Sequence, residues 1–381
     1  MVSKDRDRLI GIDLFCGAGG MSLGFEQAGF EVVAAFDCDP INTSTYVSNF
    51  PSAKGITVDL SRLSGCEIRQ MAGLRSRQTI DVLFGGPPCQ GFSLIGKRRM
   101  DDPRNQLLLE FARLVRELMP SYFVVENVAG LLAGDARLFL ESFLRRVRRA
   151  GFTIVEPITA LNAADFGIPE NRRRVFVIGF RKGMPSPELP IPDSDNQEPP
   201  NPPRPTVWDA IGDLPDIDQF DYLVTSDVLH TELGKPSGYA SELRGEAAGY
   251  SSRMRRCTNA LRGLSGCLRT LHSHDTMRRF SRTAPGHVEP VSRLFRLAKE
   301  SCSPTIRAGT GPSHGSFTAA RPIHPVYHRC ISVREAARIH SFPDWFSFHP
   351  TKWHGFRQVG NSVPPRLARV VASAVLHALT A

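Results

Sequence analysis

The alternation of short apolar runs with amphipathic stretches over residues 9–180 constrains the fold more than any other sequence feature. The stretches "MSLGFEQAG" (21–29) and "NQLLLEFARLVRELM" (105–119) have helical periodicity. Six runs have the length and composition of buried strands: "LIGIDLF" (9–15), "EVVAAFD" (31–37), "DVLFGG" (81–86), "YFVVENV" (122–128), "FTIVEPITA" (152–160) and "RVFVIGF" (174–180). Strands separated by helices predict an α/β fold with a doubly wound, mostly parallel sheet.

A change of composition after residue 180 predicts a second, smaller and irregular domain. Residues 181–206 are rich in proline and polar residues and predict an extended linker. Residues 207–320 have weak periodicity and strongly basic stretches. Regular structure returns with "SVREAARIHSFP" (332–343), which predicts a helix with one apolar face.

The last segment, "PPRLARVVASAVLHALTA", predicts an amphipathic helix with proline at its start. Its apolar face needs a partner and contains Leu367, Val370, Val371, Val375 and Leu379. We therefore expect the end of the chain to return to the first domain. The expected bounds are 1–182 with 358–381 for a catalytic and cofactor-binding domain, and 183–357 for a recognition domain.

Charge and cysteine usage narrow the class of protein. The formal net charge is +9, which favours an anionic partner such as nucleic acid, although charge of this size also serves solubility. The eight cysteines include no CxxC pair, which indicates a reducing, cytoplasmic location. No apolar run approaches the roughly 18 residues of a membrane helix, and the first residues lack the pattern of a signal peptide.

The segment "DLFCGAGGMSLGFEQAGF" (13–30) predicts a strand, a glycine turn and a helix. Gly17, Gly19 and Gly20 let the backbone approach a ligand, whose negative group would meet the helix N-terminus. The spacing is not GxGxxG, and Phe15 stands where an adenine-stacking side chain could lie. A nucleotide-type site is therefore predicted at this turn.

Two carboxylates follow the next strands. Asp37 ends the second strand and is placed to bind ribose hydroxyls, with a turn or helix cap as the alternative. Asp59 follows the run "TVDL" and is placed to accept from an adenine amino group, with an N-cap as the alternative. Strand ends with Gly, Asp and Asp suit S-adenosylmethionine (SAM) about as well as a dinucleotide.

Cys89 lies in "LFGGPPCQGFS" (83–93), on a Gly- and Pro-rich turn directly after a predicted buried strand. Most cysteines in soluble proteins are small buried residues. In open α/β sheets, however, ligands bind beyond the carboxyl ends of the strands. The position of Cys89 therefore predicts a nucleophile.

The ordered set "GGPPCQGFS", "ENV" (126–128), "ENRRRVFVIG" (170–179), "SVREAARIHSFP" and "QVGNSVPP" (358–365) resembles the motifs of the DNA cytosine-5 methyltransferases. The resemblance covers nearly the whole chain except about 183–320. It implies transfer of a methyl group from SAM to carbon 5 of a flipped-out cytosine in duplex DNA. It also implies a two-domain protein of the SAM-dependent methyltransferase fold.

The resemblance implies a role for each catalytic residue. Cys89 would add as a thiolate to carbon 6 of cytosine, because carbon 5 is otherwise too weak a nucleophile. Glu126, protonated or sharing a proton, would act as the acid at N3 of the base. Arg174 would contact the base oxygen and Arg172 would support it, and if both lie on one strand they share a face. The alternatives are a structural role for Glu126 and a phosphate contact or surface salt bridge for Arg172.

Further contacts are expected for the cofactor and for DNA. The predicted DNA-contacting residues are Ser93, Lys97 and Arg98 in a loop over the cleft, and Arg255 and Arg256 in the recognition domain, which would also choose the DNA sequence. The predicted cofactor-binding residues, besides Phe15, the three glycines, Asp37 and Asp59, are Cys38, Gly86, Leu107, Asn361 and Ser362. Asn361 and Ser362 would approach the methionine part of SAM, and a turn with a helix cap is their alternative.

Two positions depart from the family pattern: Glu170 stands where Gln is usual, and Cys38 where an aromatic residue is common. Glu170 would add a negative charge near two arginines. Alternative functions are a tRNA cytosine-5 methyltransferase, a non-catalytic DNA-binding module and a nicotinamide dehydrogenase. We expect no metal, since a zinc site from Cys257, Cys267, His272 and His274 matches no standard spacing. We expect the protein to be a monomer. A cognate restriction endonuclease is a potential partner.

Overall fold

The computed structural model describes residues 8–88, 106–192, 203–245, 263–309 and 321–381. The chain divides into two compact units. Unit 1 consists of Met1–Asn162, Arg173–Ile191 and Pro365–Ala381. Unit 2 consists of Ala163–Arg172 and Pro192–Pro364. This division assigns 163–172, 183–191 and 358–364 differently from the domain bounds expected above.

Unit 1 is an α/β structure around one large sheet. The strands of this sheet are β1 (Leu9–Leu14), β2 (Phe30–Asp37), β3 (Lys54–Thr57), β4 (Val82–Gly85), β5 (Tyr122–Val128), β6 (Phe152–Ile154), β7 (Ala160–Asn162) and β9 (Arg173–Arg181). Their order in the sheet is β3-β2-β1-β4-β5-β9-β6, and β7 pairs with β9. Pairing is parallel from β3 through β5, whereas β9 is antiparallel to β5, β6 and β7. The predicted doubly wound, mostly parallel sheet is confirmed.

Several helices of unit 1 bury an apolar stripe in the core beside this sheet. In α4, Leu108, Phe111 and Val115 are buried, and Phe143 and Val147 of α5 join the same apolar core. The helices of unit 1 are α1 (Gly20–Ala28), α2 (Pro40–Asn49), α3 (Gly65–Ala72), α4 (Leu107–Leu118), α5 (Ala136–Arg149) and α11 (Pro365–Thr380).

The C-terminal helix α11 packs closely on α1. A Cβ atom placed on Gly24 of α1 would lie 2.5 Å from Ala368 Cβ and 2.5 Å from the Pro365 carbonyl oxygen. The contact face of α11 includes Leu367, Val371 and Val375, all buried, whereas Val370 and Leu379 are half-buried. A glycine in α1 thus lets the end of the chain lie against its beginning.

Unit 2 has short helices and little sheet, as expected for an irregular domain. Strand β8 (Glu170–Asn171) pairs in parallel with β10 (Ser303–Pro304). The helices are α6 (Val207–Ile211), α7 (Gly238–Leu243), α8 (His274–Arg282), α9 (Val333–Ile339) and α10 (Lys352–Asn361). No helix in the described residues of either unit has the length and apolar character that crossing a bilayer requires.

One local prediction was wrong. The run 152–160 is not one strand: β6 ends at Ile154 and β7 begins at Ala160, and each pairs with a different part of β9. Pro157 between them has no N–H to donate to a sheet.

The helix predicted within 332–343 is present as α9, and all seven of its residues are buried. Arg334 donates to the Ser265 carbonyl at 2.7 Å, and Arg338 donates to Asp344 at 2.8 and 2.6 Å. Its polar side therefore faces partners inside unit 2.

Candidate active site

The carboxyl ends of β1 and β4 form the point where the strand order of unit 1 reverses. β1 pairs with β2 on one side and with β4 on the other. The residues just beyond these ends are Phe15–Gly17 and Gly86–Pro88. Open α/β sheets bind ligands in the crevice at such a point.

The glycine loop after β1 has a backbone that ordinary side chains resist. Gly17 and Gly19 have φ values of 55° and 103°, and even Phe15 has a φ of 66°. A Cβ on Gly19 would lie 2.3 Å from the ring of Phe50. A Cβ on Gly17 would meet no atom within 4 Å, so this loop borders open space. Strain at a non-glycine such as Phe15 is typical of functional loops.

Asp37, at the end of β2, fixes this loop. Its carboxylate accepts from the backbone N–H of Gly17 at 2.9 Å, from that of Asp39 at 2.8 Å and from the side chain of Asn42 at 3.3 Å. Burial raises the pKa of Asp37 from its ordinary value, against the opposing effect of these N–H groups. Within the described residues these bonds occupy three of the about four acceptor positions of a carboxylate.

A buried polar chain beneath the loop was missed by the sequence predictions. Ser22 of α1 donates to Asp13 at 2.6 Å, and the Tyr46 hydroxyl donates to Ser22 at 3.0 Å. Asp13 is fully buried, and its Oδ1 atom has no hydrogen-bond partner within the described residues. Burial raises the pKa of Asp13 to about 8. A carboxylate inside the apolar run "LIGIDLF" was the one signal available.

The other predicted cofactor residues of unit 1 lie at strand or helix ends. Cys38 is exposed directly after Asp37, and Leu107 is the half-buried first residue of α4. Asp59 accepts from the backbone N–H of Ser61 at 3.0 Å and from its hydroxyl at 2.7 Å. These two bonds hold the pKa of Asp59 below its usual value. Asp59 therefore makes the N-cap contact that was its alternative role.

Glu126 and Arg174 form an ion pair beside the end of β4. Glu126 Oε1 and Arg174 Nε are 2.9 Å apart, and both side chains are largely buried. The two residues are diagonal neighbours on one face, because Val128 of β5 is the partner of Arg174 in β9. A Cβ on Gly86 would lie 3.0 Å from Glu126 Oε2, so the lack of a side chain at this position lets the turn after β4 pack against the carboxylate.

Asn127 links the same strand end to the turn that leads to Cys89. Its amide nitrogen donates to the Pro87 carbonyl at 3.3 Å, and its amide oxygen accepts from the Val128 N–H at 2.8 Å. Asn127 itself is buried. The backbone two residues before Cys89 is thereby tied to β5.

Arg172 does not share a strand face with Arg174, so that expectation was wrong. β9 begins at Arg173, and Arg172 belongs to unit 2. Its guanidinium is buried and donates to the carbonyl oxygens of Ile306 at 3.1 Å, Gly360 at 2.7 Å and Ser362 at 2.8 Å. The three carbonyls that Arg172 contacts lie more than a hundred residues from it in the sequence. Because Arg172 is buried, the surface salt bridge considered for it is excluded.

Asn361 and Ser362 lie at the end of α10 in unit 2. Asn361 is exposed, whereas Ser362 is buried and its hydroxyl donates to the Gln358 carbonyl at 2.7 Å. The Ser362 N–H also closes the helix by donating to Val359. The cap considered as an alternative for this segment is therefore present.

Several predicted residues lie outside the described residues: Cys89, Ser93, Lys97, Arg98, Arg255, Arg256 and Cys257. Of the other residues considered for zinc, His272 accepts from the Cys330 N–H at 3.2 Å, and Cys267 is buried. Across the part of the chain that the structure describes, no group of three or more His, Cys, Asp or Glu side chains has metal-binding geometry.

Comparison with known proteins identifies the family. The model of the C-5 cytosine-specific DNA methylases matches residues 9–377. The chain belongs to this family. It is therefore a DNA (cytosine-5)-methyltransferase, and the alternatives considered from the sequence are not favoured.

Individual relatives agree with this assignment. The chain is 49% identical over 372 residues to the Type II methyltransferase M.XorII of Xanthomonas oryzae pv. oryzae, covering 98% of this chain and 85% of that protein. It is 34% identical over 370 residues to the Type II methyltransferase M1.HphI of Haemophilus parahaemolyticus, covering 96% of this chain and 86% of that protein.

A solved structure extends the similarity to three dimensions. A prophage-encoded protein of Escherichia coli, described as a DNA modification methyltransferase, has a TM-score of 0.79 and 34% identity, covering 98% of this chain and 100% of that chain. The methyltransferase thus shares its fold over 98% of its chain with an experimentally determined relative.

Proposed function

We propose that this methyltransferase transfers a methyl group from SAM to carbon 5 of a flipped-out cytosine within a specific duplex DNA sequence, through a covalent bond between Cys89 and carbon 6. The observation that carries the proposal is the arrangement at the end of β4. There, Glu126 is paired with Arg174, and its second carboxylate oxygen lies against Gly86, in the turn that leads to Cys89. Cys89 follows this turn three residues after Gly86.

The loop after β1 fits a nucleoside cofactor. Gly17 borders open space, and Asp37 is proposed to accept from a ribose hydroxyl. In the proposal Phe15 contacts the adenine, Gly19 and Gly20 shape the loop, and Asn361 and Ser362 approach the methionine part. Cys38, Asp59, Gly86 and Leu107 complete the proposed set. When bound, SAM supplies an electrophilic methyl group on a sulfonium.

The proposed roles of the catalytic side chains follow from the chemistry of cytosine. The Cys89 thiolate forms a bond to carbon 6, and the electron pair of the ring double bond moves so that carbon 5 becomes nucleophilic. Glu126 holds a proton at N3, which offsets the negative charge that develops on the ring. After methylation a base removes the proton from carbon 5 and the bond to sulfur breaks, which regenerates the thiolate.

Arg174 orients Glu126 and is proposed to donate to the base oxygen. Its Nε atom is paired with the Glu126 carboxylate, while its Nη1 atom donates to the Arg173 carbonyl at 2.8 Å. A guanidinium has five N–H donors, so donors remain for a base. Arg172 is proposed to support the site indirectly, through the carbonyls that it holds in unit 2.

The proposal assigns the two units different tasks. In the proposal unit 1 supplies the catalytic groups and most of the SAM contacts, whereas unit 2 selects the DNA sequence and contributes Asn361 and Ser362. Ser93, Lys97, Arg98, Arg255 and Arg256 are proposed to contact DNA, because phosphate binding needs cationic and hydroxyl groups. We further propose that the protein is a monomer and that it acts in the bacterial cytoplasm. A cognate restriction endonuclease is proposed as the partner of its system, as Type II relatives suggest.

Bisulfite sequencing tests this function. Unmethylated phage λ DNA is incubated with the protein and SAM, and every cytosine is scored. We expect methylation at carbon 5 within one short sequence, and none with the Cys89→Ser variant. A duplex that carries 5-fluorocytosine at the target should trap a covalent complex with the wild-type protein. Turnover by Cys89→Ser close to wild type would overturn the proposed mechanism.

A further inference from the structure

Unit 2 contains a buried cluster of three ionisable side chains, which are Glu170, Arg172 and His340. Glu170 and His340 have no exposed surface, and Arg172 is 1% exposed. Glu170 Oε2 lies 2.6 Å from His340 Nδ1, and Glu170 Oε1 accepts from the Ile306 N–H at 2.7 Å. Arg172 Nη1 lies 3.6 Å from Glu170 Oε1. Such groups are rarely buried unless their partners are specific.

The cluster grips the segment at the end of α10. Arg172 donates to the carbonyl oxygens of both Gly360 and Ser362. His340 Nε2 lies 3.0 Å from the Ser362 carbonyl oxygen. On its other side the segment is packed tightly, because a Cβ on Gly360 would lie 2.3 Å from the Ala308 nitrogen. The position of Ser362 therefore depends on the hydrogen bonds that His340 and Arg172 can donate to its carbonyl oxygen.

The ring of His340 lies between two oxygen atoms, and a neutral imidazole cannot satisfy both. It carries one N–H, so it donates either to Glu170 through Nδ1 or to Ser362 through Nε2. The Ser362 carbonyl can only accept. If Nδ1 holds the single proton, the bare Nε2 atom faces the carbonyl oxygen and makes no bond. Only the doubly protonated ring donates to both.

The charges in the cluster favour a carboxylate on Glu170 and a neutral ring on His340. Burial raises the pKa of Glu170, but His340, Arg172 and the Ile306 N–H outweigh it, so the pKa lies below its usual value. Burial lowers the pKa of His340, and Arg172 acts in the same direction, whereas Glu170 and the Ser362 carbonyl oppose them. Glu170 and Arg172 are the charged groups that act on this ring.

We propose that His340 is a positioning residue for the Gly360–Ser362 segment, and that Glu170 controls how firmly it holds this segment by directing the ring proton to Nδ1 at neutral pH. Protonation of Nε2 as the pH falls then adds a hydrogen bond to Ser362. This inference rests on the proposed role of Asn361 and Ser362 in binding SAM. It predicts SAM affinity that weakens as the pH rises through the titration of His340.

The variant Glu170→Gln isolates the role of the carboxylate. The glutamine amide can donate to Nδ1 and its oxygen can accept from the Ile306 N–H, with no charge in the pair. The single proton of a neutral His340 then lies on Nε2 and is donated to Ser362 at every pH. Glutamine therefore removes the pH dependence while it preserves the volume of the side chain.

Two measurements test the inference. Long-range 15N spectra of histidine-labelled protein, with His340→Gln to assign the signal, should show the Nδ1–H form in the wild type and the Nε2–H form in Glu170→Gln. Calorimetric titration with SAM should show the ratio of dissociation constants, wild type over Glu170→Gln, increasing about threefold to tenfold from pH 4.5 to 8.0, the effect of one hydrogen bond. Using a ratio cancels any titration of SAM itself.

A surface control and three outcomes complete the design. Glu300→Gln, which changes an exposed carboxylate of the same unit, should follow the wild-type profile. A constant ratio across the pH range, or the Nε2–H form in the wild type, overturns the inference although SAM still binds. Absence of SAM binding by every protein overturns the proposed function instead, and the spectra still decide the protonation of His340.

Discussion

Arg174 Nε lies 2.9 Å from Glu126 Oε1, and this ion pair joins the end of β5 to the beginning of β9. Both side chains are largely buried, so packing within the sheet fixes their conformations. The pair also lies next to Gly86, the residue that begins the turn toward Cys89. Catalytic groups on neighbouring strands of one sheet keep their separation better than groups on loops.

Glu126→Gln should lower kcat by about 100-fold or more, because glutamine cannot exchange a proton with the base. The free energy of unfolding should change much less, since the amide can still contact Arg174. Radiolabelled methyl transfer to λ DNA and urea denaturation give the two quantities. Glu141→Gln is the matched control: it breaks the exposed ion pair with Arg137 and should leave kcat within about twofold. Equal effects of the two substitutions on kcat would refute the assignment of Glu126.

Asn127→Ala should slow the covalent trapping of a 5-fluorocytosine duplex more than it weakens SAM binding. The substitution removes the donor to the Pro87 carbonyl and the acceptor for the Val128 N–H, and leaves buried polar groups unsatisfied at a cost of about 1–3 kcal/mol. The rate of trapping at saturating DNA is measured by gel electrophoresis under denaturing conditions. A wild-type trapping rate would show that this tie to the backbone before Cys89 is dispensable.

Asp13→Asn should stabilise the protein progressively, relative to wild type, as the pH rises. The pKa of Asp13 is raised to about 8 in the folded state, so this state keeps a proton that the unfolded state releases near pH 4. The stability that this proton supplies is present below the unfolded pKa and is lost as the pH rises toward 8.

Urea denaturation of both proteins at pH 5.0, 6.5 and 8.0 measures this effect. The gap between them should widen by about 1 kcal/mol or more for each unit of pH. A gap that is constant over this range would mean that Asp13 is ionised when folded.

Gly24→Ala should destabilise the protein by about 1–3 kcal/mol through overpacking. The added methyl group would lie 2.5 Å from Ala368 Cβ and from the Pro365 carbonyl, so α11 must move away from α1. Helix propensity alone predicts the opposite sign, since alanine is favoured over glycine by about 1 kcal/mol. Gly238→Ala, at the first residue of α7 with open space around it, is the control and should be neutral or stabilising.

The prediction from sequence succeeded where the signal is local. The strand, glycine turn and helix around Gly17 were predicted because period, turn chemistry and helix start lie within twenty residues of each other. A rule about the ends of parallel strands singled out Asp37 as a ribose-binding residue, and the structure gives that carboxylate a bond to the Gly17 N–H that the sequence did not predict. The same reasoning failed at 152–160, where a proline inside an apolar run separates two strands.

The amino-acid sequence by itself determined the alternation of strands and helices in unit 1, the glycine loop and the motifs that define the family, because each depends on residues that are neighbours in the chain. Only the tertiary structure decided that Arg172 and Arg174, two positions apart, contact different partners in different units. It also brought Glu170 to His340 across 170 residues and Arg172 to Gly360 across 188. Buried charges choose their partners by distance in space and by the lack of water, and neither is written in the spacing of residues along the chain.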